Sequence, residues 1–235
     1  MCGRYATTRS PVDLSALFEA TDDVEGLEPD YNVAPTDPVP MVRMSADGRR
    51  LSVARWGLVP HWAKDPRAGA RMINARAETV ATSNAFAPSF AKRRCLVPAD
   101  GWYEWVKFTT GGKQAYYMTP TDGQICAFAG IWATWGPDKL LTCSIVTIAA
   151  IDDLNLIHDR MPLLLPPDRW ATWLDGPPSE DLLAPTPADL VAGLELRPVG
   201  AAVGDVRNDG PQLIARVSAP PLGGMPDSPV DLTLF

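Results

Sequence analysis

Residues 95–135 read CLVPADGWYEWVKFTTGGKQAYYMTPTDGQICAFAGIWATW, and the apolar runs and turns in this segment indicate the fold class. Its runs of β-branched, aromatic and other apolar residues predict four strands, over 95–98, 102–108, 114–119 and 125–135. Gly111-Gly112 and Asp122-Gly123 separate the last three runs, and both dipeptides are typical of hairpin turns. We therefore predict antiparallel strands through the middle of the chain.

Segments on either side extend this pattern. Apolar runs predict further strands over 39–44, 51–58, 140–149 and 199–206, whereas Asn, Pro and Thr predict a loop over 31–36. Short helices are predicted after Ser10-Pro11 and over 85–94, 168–174, 179–183 and 187–194. Because the strands do not alternate regularly with helices, we predict one α+β domain over 1–219, with a curved, largely antiparallel, barrel-like sheet core and peripheral helices. The Pro- and Gly-rich residues 220–235 are predicted to form an unfolded tail.

The composition indicates a chain that can bury a real core, since 46% of its 235 residues are apolar. The absence of an 18-residue apolar run and of a secretion signal predicts a cytoplasmic protein with no membrane partner. Four cysteines (Cys2, Cys95, Cys126 and Cys143) show no CxxC spacing. We therefore expect no zinc site, and we expect the last three cysteines to be buried free thiols. No cofactor motif is visible, and no cofactor is expected.

Charge is distributed unevenly along the chain, although the net charge is −7. Residues 41–113 hold 13 Lys and Arg against 5 Asp and Glu, a balance of +8 that leaves −15 for the remainder. Such a chain can present one basic face to a polyanion such as a nucleic acid. Alternatively, the basic segment pairs with the acidic ones.

Met1-Cys2-Gly3-Arg4-Tyr5 opens the sequence and contains its most unusual chemistry. Removal of an initiator methionine before a small residue would leave Cys2 with a free α-amine, whose reference pKa is about 8. That amine attacks an aldehyde to give an imine, and the thiolate then closes a five-membered thiazolidine ring. The alternative is a small apolar residue at a frayed terminus.

Three further places in the sequence could handle protons or anions. His158 follows a buried strand and can exchange protons near neutrality, although a lone histidine can also be structural. Glu104 shares a strand face with Trp102, and apolar surroundings would raise its pKa; on an outer face it would simply be solvated. In an extended segment, Asn74 and Arg76 point the same way and could bind a sugar oxygen and a phosphate.

Tryptophans are interleaved with the basic segment at positions 56, 62, 102 and 105. Aromatic side chains between cations can stack on unpaired bases. We predict Trp56 and Trp102 to be core residues. Trp62, next to His61 in a proline-bounded loop, is predicted to be exposed, and so is His61.

Six ordered motifs resemble the SOS-response-associated peptidase (SRAP) family. They are Cys2-Gly3-Arg4-Tyr5, Tyr31-Asn32-Val33-Ala34-Pro35, Trp56-Gly57-Leu58-Val59-Pro60, Asn74-Ala75-Arg76-Ala77-Glu78-Thr79, residues 94–105 and His158-Asp159-Arg160-Met161-Pro162. Residues 205–214 resemble the family's closing segment, so the resemblance covers residues 2 to about 214.

The resemblance implies a protein that binds abasic sites in single-stranded DNA and links to their aldehyde covalently. It implies that Cys2 forms the thiazolidine and that Asn74 positions the opened sugar. Glu104 would handle the protons of imine formation, and His158 would assist sugar ring-opening and reversal of the link. A nucleoid-associated location follows from the same resemblance.

DNA contacts are implied for Arg4, Asn32, Pro40, Met41, Trp62, Arg71, Arg76 and Arg160. Among these, Arg4, Arg76 and Arg160 would hold phosphates. Pro40, Met41 and Trp62 stand where the family wedges apart and stacks on bases. Asn84 replaces a basic residue of some relatives, so one phosphate contact is expected to be weaker.

The tail resembles a peptide that docks bacterial replication proteins on the sliding clamp. In Asp231-Leu232-Thr233-Leu234-Phe235 the docking residues would be Leu232, Leu234 and Phe235, with Asp231 where glutamine is usual. The alternative is a tail that folds back on its own sheet.

Three functions remain open from the sequence. The first is covalent crosslinking to abasic sites, with abasic-site lyase chemistry as a side activity of the imine. The second is a thiol autopeptidase that removes its own leading residue, and the third is a non-covalent reader of single-stranded or modified DNA. Covalent capture of a lesion needs only a monomer.

Overall fold

A computed structural model describes residues 2–24, 26–108, 111–219 and 222. The strands in these residues are β1 (Tyr5–Thr7), β2 (Thr21–Asp22), β3 (Asp30–Val33), β4 (Pro38–Ser45), β5 (Gly48–Trp56), β6 (Asn74–Arg76), β7 (Arg94–Ala99), β8 (Gly101–Lys107), β9 (Lys113–Pro120), β10 (Cys126–Trp135), β11 (Leu140–Ala149), β12 (Arg160–Pro162) and β13 (Leu194–Val199). The α-helices are α1 (Pro11–Phe18), α2 (Ala77–Val80), α3 (Ala87–Lys92), α4 (Pro167–Asp175) and α5 (Ala188–Ala192). Turns of 3-10 helix occupy Pro66–Arg71, Asp152–Leu156, Glu180–Leu183, Ala201–Gly204 and Pro211–Ile214.

A five-stranded barrel forms one half of the molecule. Its strands pair in the order β5, β4, β7, β10 and β11, all antiparallel. A parallel pairing of β11 with β5 closes the ring, with Thr142 opposite Arg55 and Cys143 opposite Trp56. The predicted barrel-like core is therefore confirmed, and the parallel pairings of β5 and β6 with β11 are additions to it.

A second, antiparallel sheet in the order β3, β1, β8, β9, β13 packs against the barrel. Tyr5 and Trp102 extend from this sheet and meet Trp56 and Phe128 of the barrel. The ring centroids of Tyr5 and Trp56 are 5.1 Å apart, and Phe128 lies 5.9 Å from both Tyr5 and Trp102. Because such edge-to-face pairs bury much apolar surface, this aromatic cluster fixes how the two sheets meet.

Most predicted elements are present in the structure. Strands β4, β5 and β7–β11 occupy the predicted runs, and α1 begins as expected, because the Ser10 hydroxyl accepts a hydrogen bond from the Asp13 amide at 3.1 Å. The loop predicted over 31–36 is wrong at its start, since Asp30–Val33 pairs with β1 as β3. The late strand is Leu194–Val199 rather than 199–206, because the chain turns at Gly193 and pairs with β9 from Leu194 onwards.

The second predicted hairpin is also wrong. Asp122-Gly123 does form a turn, with Gly123 at a φ of +71°. However, β9 belongs to the second sheet and β10 to the barrel, so this turn carries the chain from one sheet to the other. A turn signal fixes a local reversal of the chain and does not specify which strands pair across it.

Residues 223–235, which contain the predicted docking peptide, lie outside the described residues. In the described part of the chain, no helix is long and apolar enough to cross a membrane. Cys95, Cys126 and Cys143 are buried free thiols, as predicted.

Candidate functional site

The four predicted catalytic residues come from both halves of the molecule and meet where these halves join. Cys2 lies three residues before the start of β1 and Glu104 lies on β8, and both strands belong to the second sheet. Asn74 begins β6 and His158 precedes β12, and both of these strands border β11 of the barrel. Tyr5 lies opposite Trp102 in the antiparallel register, which brings Glu104 level with the residue after Cys2.

Cys2 is fully buried and held in place. The side-chain amide of Asn74 donates a hydrogen bond to the carbonyl oxygen of Cys2, with 2.8 Å between Nδ2 and O. Burial raises the pKa of the Cys2 thiol well above its ordinary value, and the negative charge of Glu104 raises it further. The frayed-terminus alternative is therefore wrong, and the thiol is protonated at neutral pH.

Glu104 is buried, with 4% of its surface exposed. Burial raises its pKa from the ordinary 4.5 to about 7, and the nearby charge of Asp159 acts in the same direction. Trp102 packs in the main core, whereas Tyr103 belongs to a separate cluster with Trp105 on the other face of β8. The predicted strand face is thus confirmed, and the solvated outer-face alternative is wrong. A carboxyl group with this pKa can give and take protons at neutral pH.

His158 is half-buried, and its ring is oriented by its neighbours. The backbone amide of Arg160 donates to Nδ1 at 2.9 Å, and Nδ1 lies 2.7 Å from a carboxylate oxygen of Asp159. The contact with the Arg160 amide fits an unprotonated Nδ1, whereas the contact with the Asp159 carboxylate fits a protonated Nδ1, so the two contacts suit different protonation states of the ring. Burial lowers the pKa of His158, which favours the neutral form. Asp159 can compensate the charge whenever the ring becomes protonated.

Arg160 uses both ends of its guanidinium within the protein. Nη1 and Nη2 donate to the two carboxylate oxygens of Glu78 at 2.6 and 3.0 Å, and Nη2 also donates to the Thr147 carbonyl at 2.5 Å. The hydrogen bond from Arg160 lowers the pKa of Glu78. No role is predicted for Glu78 from the sequence, although its place two residues after Arg76 in the motif over 74–79 is a signal for one.

Arg4 and Asn32 are engaged with each other and with the segment after β13. Arg4 Nη1 donates to Asn32 Oδ1 at 2.6 Å and to the Val203 carbonyl at 2.8 Å. The Asn32 amide donates to the carbonyls of Asp205 and Asn208. Because the Asn32 side chain is buried and its amide donates twice within the protein, it has a structural role here, and its implied DNA contact stays a prediction.

The expected base-contacting residues divide into two groups. Met41 is fully buried in the barrel core and Pro40 is buried beside it in β4, opposite Val53. Both side chains implied as a wedge are therefore buried in this structure, and their contact with bases stays a prediction. Trp62, by contrast, is 54% exposed, as predicted.

Some arginines of the basic segment form hydrogen bonds and ion pairs within the protein. This agrees in part with the alternative prediction that the basic segment pairs with the acidic ones. Arg50 pairs with Asp23 at 2.5 Å, and Arg94 is buried and donates to main-chain carbonyls. Arg71 and Arg76 are exposed, and no carboxylate of the described ranges forms an ion pair with either. Arg71 and Arg76 are therefore available for a polyanion, and both lie within three residues of Asn74 in the sequence.

A metal centre is not indicated: no group of three or more His, Cys, Asp or Glu side chains suited to a metal ion occurs among the described residues. Instead, the site combines a buried thiol, an acid with a pKa near neutrality, a neutral imidazole and exposed arginines. This set is suited to carbonyl chemistry on an anionic substrate.

Comparison with known proteins agrees with this geometry. The model of the family "SOS response associated peptidase (SRAP)" matches residues 1–206. The chain is 34% identical over 225 residues to the abasic site processing protein YoqW of Bacillus subtilis, covering 91% of this chain and 99% of YoqW. It is 35% identical over 232 residues to the abasic site processing protein YedK of Escherichia coli, covering 92% and 100%. A crystal structure of a Bacteroides thetaiotaomicron protein shares the fold, with a TM-score of 0.79 at 23% identity over 92% of this chain and all of that one.

Proposed function

Because this chain belongs to the SOS response associated peptidase family, we propose that it binds abasic sites in single-stranded DNA and links to them through Cys2. The observation that carries the proposal is the hydrogen bond from Asn74 to the Cys2 carbonyl. This hydrogen bond holds Cys2 near Glu104, a buried acid that can transfer protons while an imine forms on the Cys2 amine. The proposal requires removal of Met1, which frees the α-amine of Cys2.

The first step forms an imine. The opened deoxyribose presents an aldehyde, and the Cys2 amine adds to its carbon to give a carbinolamine. Glu104, in its protonated form, donates a proton to the departing hydroxyl, which leaves as water. Since the pKa of Glu104 is about 7, both its acidic and its basic form are populated at neutral pH.

The second step closes the ring. The Cys2 sulfur attacks the carbon of the protonated imine, the thiol proton passes to the carboxylate that Glu104 became in the first step, and the nitrogen keeps its one proton as a secondary amine. Overall, an aldehyde, an amine and a thiol give a thiazolidine and one water, with no oxidant or reductant.

His158 and the arginines would act on the sugar and its phosphates. When its ring is protonated beside the Asp159 carboxylate, His158 can deliver a proton to the ring oxygen as the sugar opens, and it returns to the neutral imidazole. Arg76 and Arg71 offer exposed guanidinium groups for phosphates, and Trp62 offers an exposed face for a base. Arg4 keeps one guanidinium end in internal hydrogen bonds, so any phosphate contact would use the other.

The test is covalent capture. Protein verified by mass spectrometry to begin at Cys2 is incubated with single-stranded DNA carrying one abasic site and is then run on a denaturing gel. We expect a shifted band that Cys2→Ala abolishes and that the matched buried-thiol variant Cys126→Ala retains. Cys2→Ser keeps the amine and should give a band only after borohydride reduction.

Other outcomes would overturn the proposal in defined ways. Salt-sensitive binding without a covalent band would favour the non-covalent reader, and cleavage of peptides would favour the peptidase. The imine also allows strand scission by β-elimination, which ring closure suppresses. We therefore expect Cys2→Ser to nick abasic DNA faster than the unmodified protein does.

A further inference from the structure

Glu78 holds the guanidinium of Arg160 in the geometry with which an arginine binds a phosphate. Two parallel hydrogen bonds, of 2.6 and 3.0 Å, join the two ends of the fork to the two carboxylate oxygens. A phosphate presents the same pair of acceptor oxygens to an arginine fork. A carboxylate and a phosphate therefore cannot use this fork at the same time.

A second arginine stands beside this pair. Arg76, on β6, lies opposite Thr147 of β11, and the Thr147 carbonyl is itself an acceptor of Arg160. The charge of Arg76 also contributes to the lowered pKa of Glu78. Glu78 thus interacts with two arginines, through hydrogen bonds with Arg160 and through the charge of Arg76, which follows Asn74 by two residues.

Exposure separates the two partners of the ion pair. The Glu78 side chain is 55% exposed, whereas that of Arg160 is 13% exposed and anchored to the Thr147 carbonyl. Because the carboxylate is solvated and Arg160 is anchored by a separate hydrogen bond, a phosphate can displace the carboxylate while Arg160 stays in place.

We propose that Glu78 occupies a phosphate site made by Arg76 and Arg160, and that a DNA phosphate must displace it when DNA binds. Glu78 is then a positioning residue: it keeps Arg160 aligned against β11 in the DNA-free protein and lowers the affinity for DNA. This inference rests on the proposed function, because it assigns the anion as a phosphate of the bound strand.

The experiment measures non-covalent binding to unlesioned, fluorescein-labelled single-stranded DNA by anisotropy. Since this DNA has no aldehyde, the readout does not depend on Cys2 chemistry. We expect Glu78→Gln and Glu78→Ala to tighten binding by about two- to fivefold at low salt. In an Arg160→Gln background, the same Glu78 changes should give a clearly smaller gain.

Glu195→Gln is the matched control. Glu195 also pairs with arginines, at 2.5 Å to Arg197, and it lies on β13, which carries none of the four proposed catalytic residues. Equal gains with and without Arg160 would mean that removal of a negative charge acts only at long range, and would overturn the inference. Weaker binding by Glu78 variants with an unchanged unfolding midpoint would overturn it as well. A missing covalent band on abasic DNA would instead count against the proposed function and leave these affinities readable.

Discussion

Glu104 is a carboxyl group that folding buries near Cys2, the residue proposed to react with DNA. Its folded-state pKa of about 7 lies above the ordinary 4.5 because burial disfavours the charged form. Below about pH 4.5 the group is protonated in both the folded and the unfolded state. As the pH rises towards 7, the unfolded state gains the ionised form more readily, so the protein loses stability over that window.

Replacing Glu104 by Gln should remove most of this pH dependence. We expect the unmodified protein to lose up to about 3 kcal/mol of unfolding free energy between about pH 4.5 and pH 8 through this group, and the variant to lose much less. Urea unfolding at both pH values measures the difference. If the variant and the unmodified protein lost the same unfolding free energy over this pH range, Glu104 would already be ionised in the folded protein.

Asn74 offers a separate test at the same site. Asn74→Ala removes the donor to the Cys2 carbonyl, and one such hydrogen bond is worth about 1 kcal/mol, so the crosslinking rate should fall about fivefold to tenfold. Affinity for unlesioned DNA should stay constant, because the amide bonds to the protein itself. A fall in affinity with an unchanged rate would assign Asn74 to DNA binding instead.

At the scale of elements, the site depends on β8 lying tightly between β1 and β9. A Cβ atom placed on Gly101, at the start of β8, would come within 2.7 Å of the Tyr117 ring and closer still to the Met118 carbonyl. This close approach explains why glycine stands there. It also fixes the register that brings Glu104 level with the residue after Cys2.

We therefore expect Gly101→Ala to lower the unfolding free energy by about 2 kcal/mol or more and to slow crosslinking. Gly200→Ala is the control, since a Cβ atom at Gly200 meets nothing within 4 Å. Denaturant unfolding measures both variants. If the two behaved alike, the packing at Gly101 would have no bearing on stability.

The sequence predicted elements better than it predicted their pairing. Alternation along β8 predicted correctly that Glu104 shares a face with Trp102, because a strand's side chains alternate whatever its partners are. The turn at Asp122-Gly123 suggested a hairpin, yet only the long-range pairing of β10 with β7 decides which sheet β10 joins. The burial of Met41 could not be predicted for a related reason. Barrel closure, which no local pattern encodes, determines that its side chain is fully buried.

At the scale of the whole molecule, the net charge of −7 conceals a local excess of available cations. Internal ion pairs neutralise some of the basic segment, whereas Arg71 remains exposed at the end of the 3-10 turn that leads to β6. Arg67, in the same turn, pairs with its neighbour Asp65 at 2.5 Å. Two exposed arginines four residues apart thus differ in whether they have an ionic partner in the described chain.

We expect affinity for single-stranded DNA to fall as salt increases, despite the negative net charge. Arg71→Gln should lower the slope of log affinity against log salt by about 0.7, the value for one phosphate contact on a single strand. Arg67→Gln should leave the slope nearly unchanged. Anisotropy titrations over a salt series measure both slopes, and identical slopes for all three proteins would remove Arg71 from the interface.

Complete enclosure of Cys2 also has a consequence for how the protein survives before use. A sulfhydryl with no exposed surface is inaccessible to peroxide and to small electrophiles that circulate in a cell. A thiol-reactive dye should accordingly label the native protein very slowly at this position and readily once urea has opened it. The Cys2 thiol would thus stay protected from modification in the DNA-free protein, and it would react only with a DNA strand that fits the site.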